Sequence, residues 1–279
     1  MSKIPAFERP FYDIPGPIAI AHRGGNAAGP EKENSMLAFQ SAHDLGLTYV
    51  ETDTVLTKDG IPLAFHGSNS AKQEAKTGLP ERSFVQSMTL KQLKDHGVTV
   101  GGEEIPTLEE VMTTYPEMRF FIDPKTPQVV PALGNLITKL KAEDRVSVGA
   151  FSRKRSKGSV EYAGGQDVVA TSHAIIGAIA MLGLKTAGTS PFVRPFFNVS
   201  GAVSLQMPHN LVTSKVVERA HDLGVAVITW PSKPELNDNE NYINTVIDMG
   251  VHGLMSDHTG LMKSIVLARD PKNQSIKPR

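Results

Sequence analysis

The sequence predicts a (β/α)8 barrel with a small insertion after the second strand, on three observations. Short apolar, β-branched runs alternate with helix-like segments along nearly the whole chain. Eight such runs can be delimited: Ile18–His22, Thr48–Leu56, Arg119–Asp123, Arg145–Phe151, Asp167–Thr171, Ala202–Met207, Val225–Trp230 and Gly253–Met255. The third observation is that polar, chemistry-bearing residues gather at the ends of the first three runs, where a barrel places its active-site mouth. A doubly wound open sheet is the alternative architecture.

The segments between these runs carry helix punctuation. Ser35–Leu45 stops at Gly46, Thr213–Leu223 at Gly224 and Asn241–Met249 at Gly250. Thr107 with Glu110 three residues on has the spacing of a capping box. The rhythm breaks once, from Lys58 to about Pro106, a stretch too long for one crossover. Lys58-Asp59-Gly60 reads as a turn into a returning strand over Ile61–Phe65, and Thr89–His96 as a helix. Emerging from the carboxyl end of the second strand, this insertion would form a rim or lid. Thr186–Ser200, with Pro191 and Pro195, is a second long connection, and the tail beyond Arg269 is expected to fray. The whole chain, 1–279, is expected to form one catalytic barrel domain.

Composition narrows the function classes. The 29 basic and 29 acidic residues cancel, so no basic excess favours nucleic acid as a partner. There is no cysteine, which excludes disulfides, thiol catalysis and zinc–thiolate sites. The longest apolar stretch, Ala174–Leu184, is too short to span a bilayer, and the first ten residues lack the apolar core of a signal peptide. The expected location is cytoplasmic. Oligomeric state has no sequence signal.

Chemistry concentrates around Tyr49-Val-Glu51-Thr-Asp53. Alternate residues of a strand share a face, so Glu51 and Asp53 stand side by side in an otherwise buried run. Two buried carboxylates need a cation between them. His22 ends the first strand and His66 follows the returning strand; both are candidate proton carriers. Asp123 and Lys125 repeat the i, i+2 spacing at the end of the third run, and Arg23 follows His22. Oxygen ligands without cysteine favour one divalent cation, Mg²⁺ or Ca²⁺, and Arg23 and Lys125 suit a phosphate. Each residue alone has a structural explanation, such as an Asp123–Lys125 pair or a packed histidine, and His43, His96, His173, His209, His221, His252 and His258 are read as structural.

Taken in order, these residues resemble a known signature. His22-Arg-Gly24, Glu33-Asn-Ser35, Glu51-x-Asp53, Thr57-Lys-Asp-Gly60 with His66, Ile105-Pro-Thr-Leu-Glu109, Asp123-x-Lys125, Phe151-Ser152, Ile228-Thr-Trp230 and Gly253-Leu-Met-Ser-Asp257 are similar to the motifs of glycerophosphodiester phosphodiesterases, across nearly the whole chain. The resemblance implies a (β/α)8 barrel that uses a divalent metal to split small-molecule glycerophosphodiesters into glycerol 3-phosphate and an alcohol. It implies Glu51, Asp53 and Asp123 as metal ligands, His22 and His66 as the acid–base pair, Arg23 and Lys125 on the phosphate, and Trp230 in the pocket wall.

The chain departs from the family pattern in four places. Two glutamates, Glu31 and Glu33, precede Asn34, and Glu33 is the nearer counterpart of the family's motif glutamate. Position 123 is Asp rather than Glu; Gly67 stands where an Asp usually follows the second histidine; Pro231 and Ser232 replace a polar pair after Trp230. Two further readings stay open on sequence. One is a lysophospholipase D-like activity on lysolipids, with Ala174–Leu184 and Pro191–Phe197 as apolar contact surface. The other is a barrel that binds a phosphorylated ligand without catalysis.

Overall fold

In the first two strands, Ile18 to Ala21 and Tyr49 to Val55 are buried on both faces, as strands between an inner core and outer helices must be. The computed structural model describes residues 5–14, 16–164, 169–172, 202–231, 233, 236, 239–273 and 276. Its strands are β1 (Ile18–His22), β2 (Tyr49–Leu56), β3 (Pro62–Ala64), β4 (Thr99–Val100), β5 (Glu103–Glu104), β6 (Arg119–Pro124), β7 (Val146–Ala150), β8 (Val169–Ser172), β9 (Ala202–Pro208), β10 (Ala226–Trp230) and β11 (Gly253–Ser256). β1, β2 and β6 to β11 pair in parallel in that order, and β11 returns to pair with β1, closing an eight-stranded barrel. The predicted strands agree to within one or two residues at their ends; the first two residues predicted for the Asp167–Thr171 strand lie outside the described residues. Ala174–Leu184, Thr186–Ser200 with its Pro191–Phe197 loop, His173 and Ser232 also lie outside them.

The register divides the barrel interior into layers. Ile20 pairs with Tyr49, and one pleat higher His22 pairs with Glu51; Glu51 pairs with Phe121 and Asp53 with Asp123. Because facing is alternate, Ile18, Ile20 and His22 line up on β1, Tyr49, Glu51 and Asp53 on β2, and Phe121 and Asp123 on β6. The lower layer is apolar. Ile18, Ile20, Tyr49 and Phe121 pack with Val203 and Ile228 and with Phe11 and Tyr12 of the N-terminal segment. That segment plugs the bottom: Phe11 stacks edge-on against Tyr49 and Phe121, and the Tyr49 hydroxyl donates to the Phe11 carbonyl at 2.6 Å. The polar layer above therefore rests on a dry floor.

Helix punctuation acts as its chemistry requires. The Ser35 side chain accepts from Ala38 N–H at the start of Met36–Asp44, and Thr107 and Glu110 form both bonds of a capping box. Thr213 and Asn239 cap Ser214–Asp222 and Glu240–Asp248. The outer core lies between these helices and the strands.

The insertion leaves the carboxyl end of β2 as expected. Gly60, at φ +84°, turns the chain so that β3 runs back antiparallel to β2. It carries three short helices, Ala71–Thr77, Arg82–Gln86 and Leu90–Asp95, the last with a Thr89–Gln92 capping box, and the β4–β5 hairpin. Val55, Leu63, Phe65, Val85, Leu93 and Val100 give it an apolar core of its own. The tail, expected to fray, is held at two described points. Asn273 donates to the Pro17 carbonyl at 2.6 Å, and buried Ile276 bridges to Leu47. A buried amide and an apolar anchor tie down what local composition leaves loose.

Candidate active site

The chain leaves β1 through His22-Arg23-Gly24-Gly25, a turn that needs left-handed backbone. Arg23 adopts φ +52°, which costs a non-glycine residue about 1 kcal/mol. A Cβ at Gly24 would lie 2.8 Å from the main-chain carbon of Ala38. Contacts around Arg23 hold the strained residue. Its N–H donates to Glu51 Oε2 at 3.3 Å, its carbonyl accepts from Asn34 N–H at 2.9 Å, and its guanidinium pairs with Glu33 at 2.8 Å and Asp53 at 2.9 Å.

Three carboxylates point into the mouth and are nearly sealed from solvent: Glu51 at 7%, Asp53 at 1% and Asp123 at 5% exposure. Lys125 bridges two of them, with Nζ 2.5 Å from Asp53 Oδ1 and 2.7 Å from Asp123 Oδ2. Burial opposes the charge on Asp53, but Lys125, Arg23 and His66 outweigh it and hold its carboxyl well below the usual range. The same carboxylates raise Lys125 and Arg23 above their ordinary values against the effect of burial. Glu51 is different. Burial and the adjacent Asp53 charge push it up to about 7, against the pull of His22, Arg23 and Lys125. It is the acid in this cluster most short of positive charge.

His22 stands beside Glu51, with Nε2 3.8 Å from Oε2, and its Nδ1 lies 2.5 Å from Asp257 Oδ1. Burial and Arg23 oppose its protonation, yet the Asp257 hydrogen bond and the Glu51 and Asp257 charges raise its pKa. His66, following β3, has Nδ1 3.8 Å from Glu33 Oε1. Burial pushes it down to about 3; Asp53 resists, while Arg23, Lys125 and Arg82 add to the depression. The two imidazoles thus sit in opposite electrostatic settings.

One cavity of about 340 Å³ opens onto this cluster. His22, Arg23, Glu51, Asp53, Asp123, Lys125 and Trp230 all line it; His66 is not part of its wall and stands within electrostatic reach of Asp53. The apolar part of its wall is made by Trp230, Pro231 and Met255 at the ends of β10 and β11 and by Phe151 after β7, and Lys233 also lines it. Of the two motif glutamates, Glu33 is the one at the site, through Arg23. Sequence reasoning gave no role to Asp257, Gln206, Arg82 or Arg155. Asp257 follows β11 at the same end of the barrel as Glu51, and that position was its available signal.

The donor set fits a hard divalent cation. All three carboxylates are oxygen donors, Asp123 Oδ1 is buried with no hydrogen-bond donor, and the Lys125 ammonium already occupies a cation's place between Asp53 and Asp123. Lys125 and Arg23 hold the acids as ion pairs, and no group of three acidic or imidazole side chains among the described residues is drawn into a closed chelate.

A parallel eight-stranded barrel with a mouth of acids, bases and two histidines is the framework of a barrel hydrolase. Residues 22–261 match the model of the glycerophosphoryl diester phosphodiesterase family. The chain is 30% identical to "Probable glycerophosphodiester phosphodiesterase 2" of Mycobacterium tuberculosis, over 91% of this chain and 92% of that protein. It is 26% identical to the glycerophosphodiester phosphodiesterase of Caldanaerobacter subterraneus, over 89% and 97%. Among solved structures, an Oleispira antarctica phosphodiesterase in complex with the product sn-glycerol-3-phosphate superposes with a TM-score of 0.66 at 18% identity, covering 92% of this chain and 99% of that one. The chain belongs to the glycerophosphoryl diester phosphodiesterase family and is a phosphoric diester hydrolase. None of its described helices is long and apolar enough to cross a membrane.

Proposed function

We propose that this protein hydrolyses glycerophosphodiesters to glycerol 3-phosphate and an alcohol, with a divalent cation and with His22 and His66 as the acid–base pair. The observation that carries the reading is the convergence of His22, Arg23, Glu51, Asp53, Asp123 and Lys125 on one cavity that Phe151, Trp230, Pro231 and Met255 also line. Family membership and the product-bound Oleispira antarctica enzyme support the substrate class.

A phosphodiester is anionic and gains charge on its oxygens in the transition state. Arg23 and Lys125 supply fixed positive charge beside the phosphoryl group, in a largely buried cluster where such charge acts more strongly than in water. Glu51, Asp53 and Asp123 would hold the cation. When bound, a hard divalent cation polarises a phosphoryl oxygen and neutralises developing charge. The glycerol hydroxyl of the substrate attacks phosphorus; one histidine takes its proton and the other protonates the departing alcohol. In the second step water opens the cyclic phosphate with the histidine roles reversed. Asp257 keeps a proton on Nδ1 of His22 and so presents Nε2 to the cavity. Phe151, Trp230, Pro231 and Met255 offer an apolar wall to the uncharged part of the substrate.

The test of this route is an analogue of glycerophosphocholine lacking the attacking glycerol hydroxyl. The diester should release glycerol 3-phosphate, and the analogue should remain intact while still inhibiting competitively. Equal cleavage of both contradicts attack by the substrate's own hydroxyl.

A further inference from the structure

Two arginines outside the proposed phosphate-binding set, neither of them in the cavity wall, are tied to the backbone of site residues. Arg82 begins the Arg82–Gln86 helix of the insertion, and its Nε donates to the main-chain carbonyl of His66 at 2.9 Å. Arg155 lies in the helix Arg153–Tyr162 after β7, and its Nη1 donates to the main-chain carbonyl of Lys125. Each guanidinium is half-buried and anchored on the backbone of a site residue. Neither has a carboxylate within 4.0 Å among the described residues, whereas Arg23, Arg119 and Arg269 all do. The two helices meet the same strand end: Gln86 reaches Thr126, just past β6, and Arg155 reaches Lys125.

The charges there do not balance. Burial depresses the Arg82 guanidinium, Asp53 and Asp123 oppose the shift, and Arg155 and Arg23 add to it. Arg82 and Arg155 thus lie within electrostatic range of each other, with five donors apiece and one hydrogen bond each among the described residues. Partly buried guanidinium groups with no carboxylate in contact fit an oxyanion, which takes parallel N–H bonds from such a fork. They lie on the arc of β2, β6 and β7, across the barrel from Trp230, Pro231 and Met255 at the ends of β10 and β11; Phe151, the remaining apolar lining residue, follows β7.

We propose that Arg82 and Arg155 form a second anion subsite that selects diesters whose departing alcohol carries its own oxyanion, a phosphodiester, phosphomonoester or carboxylate. The inference rests on the phosphodiesterase reading above and deepens it. The phosphoryl group under attack sits on Arg23 and Lys125. With the uncharged glycerol against Trp230 and Met255, at the ends of β10 and β11, the departing alcohol extends toward Arg82 and Arg155. Sequence gives no sign of this pair, because one arginine comes from the insertion and the other from a barrel helix.

The experiment compares kcat/KM on glycerophosphoglycerol, whose alcohol is neutral, with glycerophosphoglycerol phosphate, glycerophosphoserine and glycerophosphocholine. Wild type, Arg82→Gln, Arg155→Gln, the double variant, Arg82→Lys and Lys233→Gln are assayed side by side. The ratio of phosphorylated to neutral substrate is the readout, since a general structural loss cancels from it. It should be about tenfold or more in the wild type, the factor that one charge-assisted hydrogen bond supplies. It should fall toward unity in the double variant and be partly kept in Arg82→Lys, with glycerophosphocholine never preferred. A wild-type ratio to the neutral substrate near unity for both the phosphorylated and the serine diester overturns the subsite, and so does a ratio unchanged in the double variant or lost in Lys233→Gln instead. Selectivity for glycerophosphoserine alone assigns the subsite to carboxylates, and selectivity for the phosphorylated alcohol alone to phosphoryl groups. If no diester is turned over, the phosphodiesterase reading fails. Calorimetric binding of the same two glycerol diesters then decides the subsite: tighter binding of the phosphorylated one that the double variant abolishes supports it, and equal binding overturns it.

Discussion

His22 Nδ1 lies 2.5 Å from Asp257 Oδ1, so the residue that ends the first barrel strand is oriented by the residue that follows the last. Closure of the barrel makes this contact: β1 pairs with β11, with Ala21 opposite Ser256 one residue before each partner. The bond orients the ring and favours the tautomer with a proton on Nδ1, as the proposed role of His22 in proton transfer requires.

Asp257→Asn should therefore lower kcat by about 10²-fold, the scale of general acid–base catalysis, with little change in KM. The kcat–pH profile should move with it, because the amide no longer supports a proton on Nδ1. Steady-state kinetics from pH 5 to 9 check this. A rise in KM alone at unchanged kcat would assign Asp257 to substrate binding instead.

Lys125 ties Asp53 to Asp123 inside the mouth. Lys125→Met removes the cation and leaves two buried carboxylates, which should cost about 3 kcal/mol of stability. Mg²⁺ or Ca²⁺ should restore part of that loss and raise the melting temperature of the variant more than that of the wild type. Thermal melts with and without each ion give the answer, independently of activity; no ion-dependent gain would count against these acids as a metal site.

Much of the fold was legible, because it follows from local chemistry. The buried runs at Ile18 and Tyr49, the Thr107–Glu110 box and the Gly46, Gly224 and Gly250 stops each write an element boundary in a few residues. Seven of the residues that line the cavity could be named because strand alternation puts Glu51 with Asp53, and motif order puts Asp123 with Lys125. What sequence could not carry is pairing across distance. Asp257 meets His22 across 235 positions, and Arg82 and Arg155 converge from separate elements. The three helices of the insertion were only partly legible, since Ala71–Thr77 and Arg82–Gln86 are short and polar on most faces.

His252 gives a stability prediction away from the site. It is buried between Phe7 and Tyr12, and burial, aided by His221, pushes its pKa down to about 4. The unfolded chain, with an ordinary histidine near 6.5, binds this proton more readily than the folded one. Its stabilising contribution is full above 6.5 and is lost as pH falls toward about 4, by on the order of 3 kcal/mol. Denaturant unfolding of His252→Phe should show a shallower loss of stability across that window than the wild type. Parallel curves would show that His252 is not the group responsible.

The measurement that bears most directly on the whole account is release of glycerol 3-phosphate from glycerophosphoglycerol, glycerophosphoethanolamine and glycerophosphocholine, with Mg²⁺, with Ca²⁺ and with a chelator. The wild type should release it from at least one diester in a cation-dependent way, and His22→Ala and His66→Ala should each lose about 10²-fold or more while keeping the circular dichroism of the wild type. Turnover that survives the chelator and both substitutions, or its absence on every diester with either ion, would contradict the account.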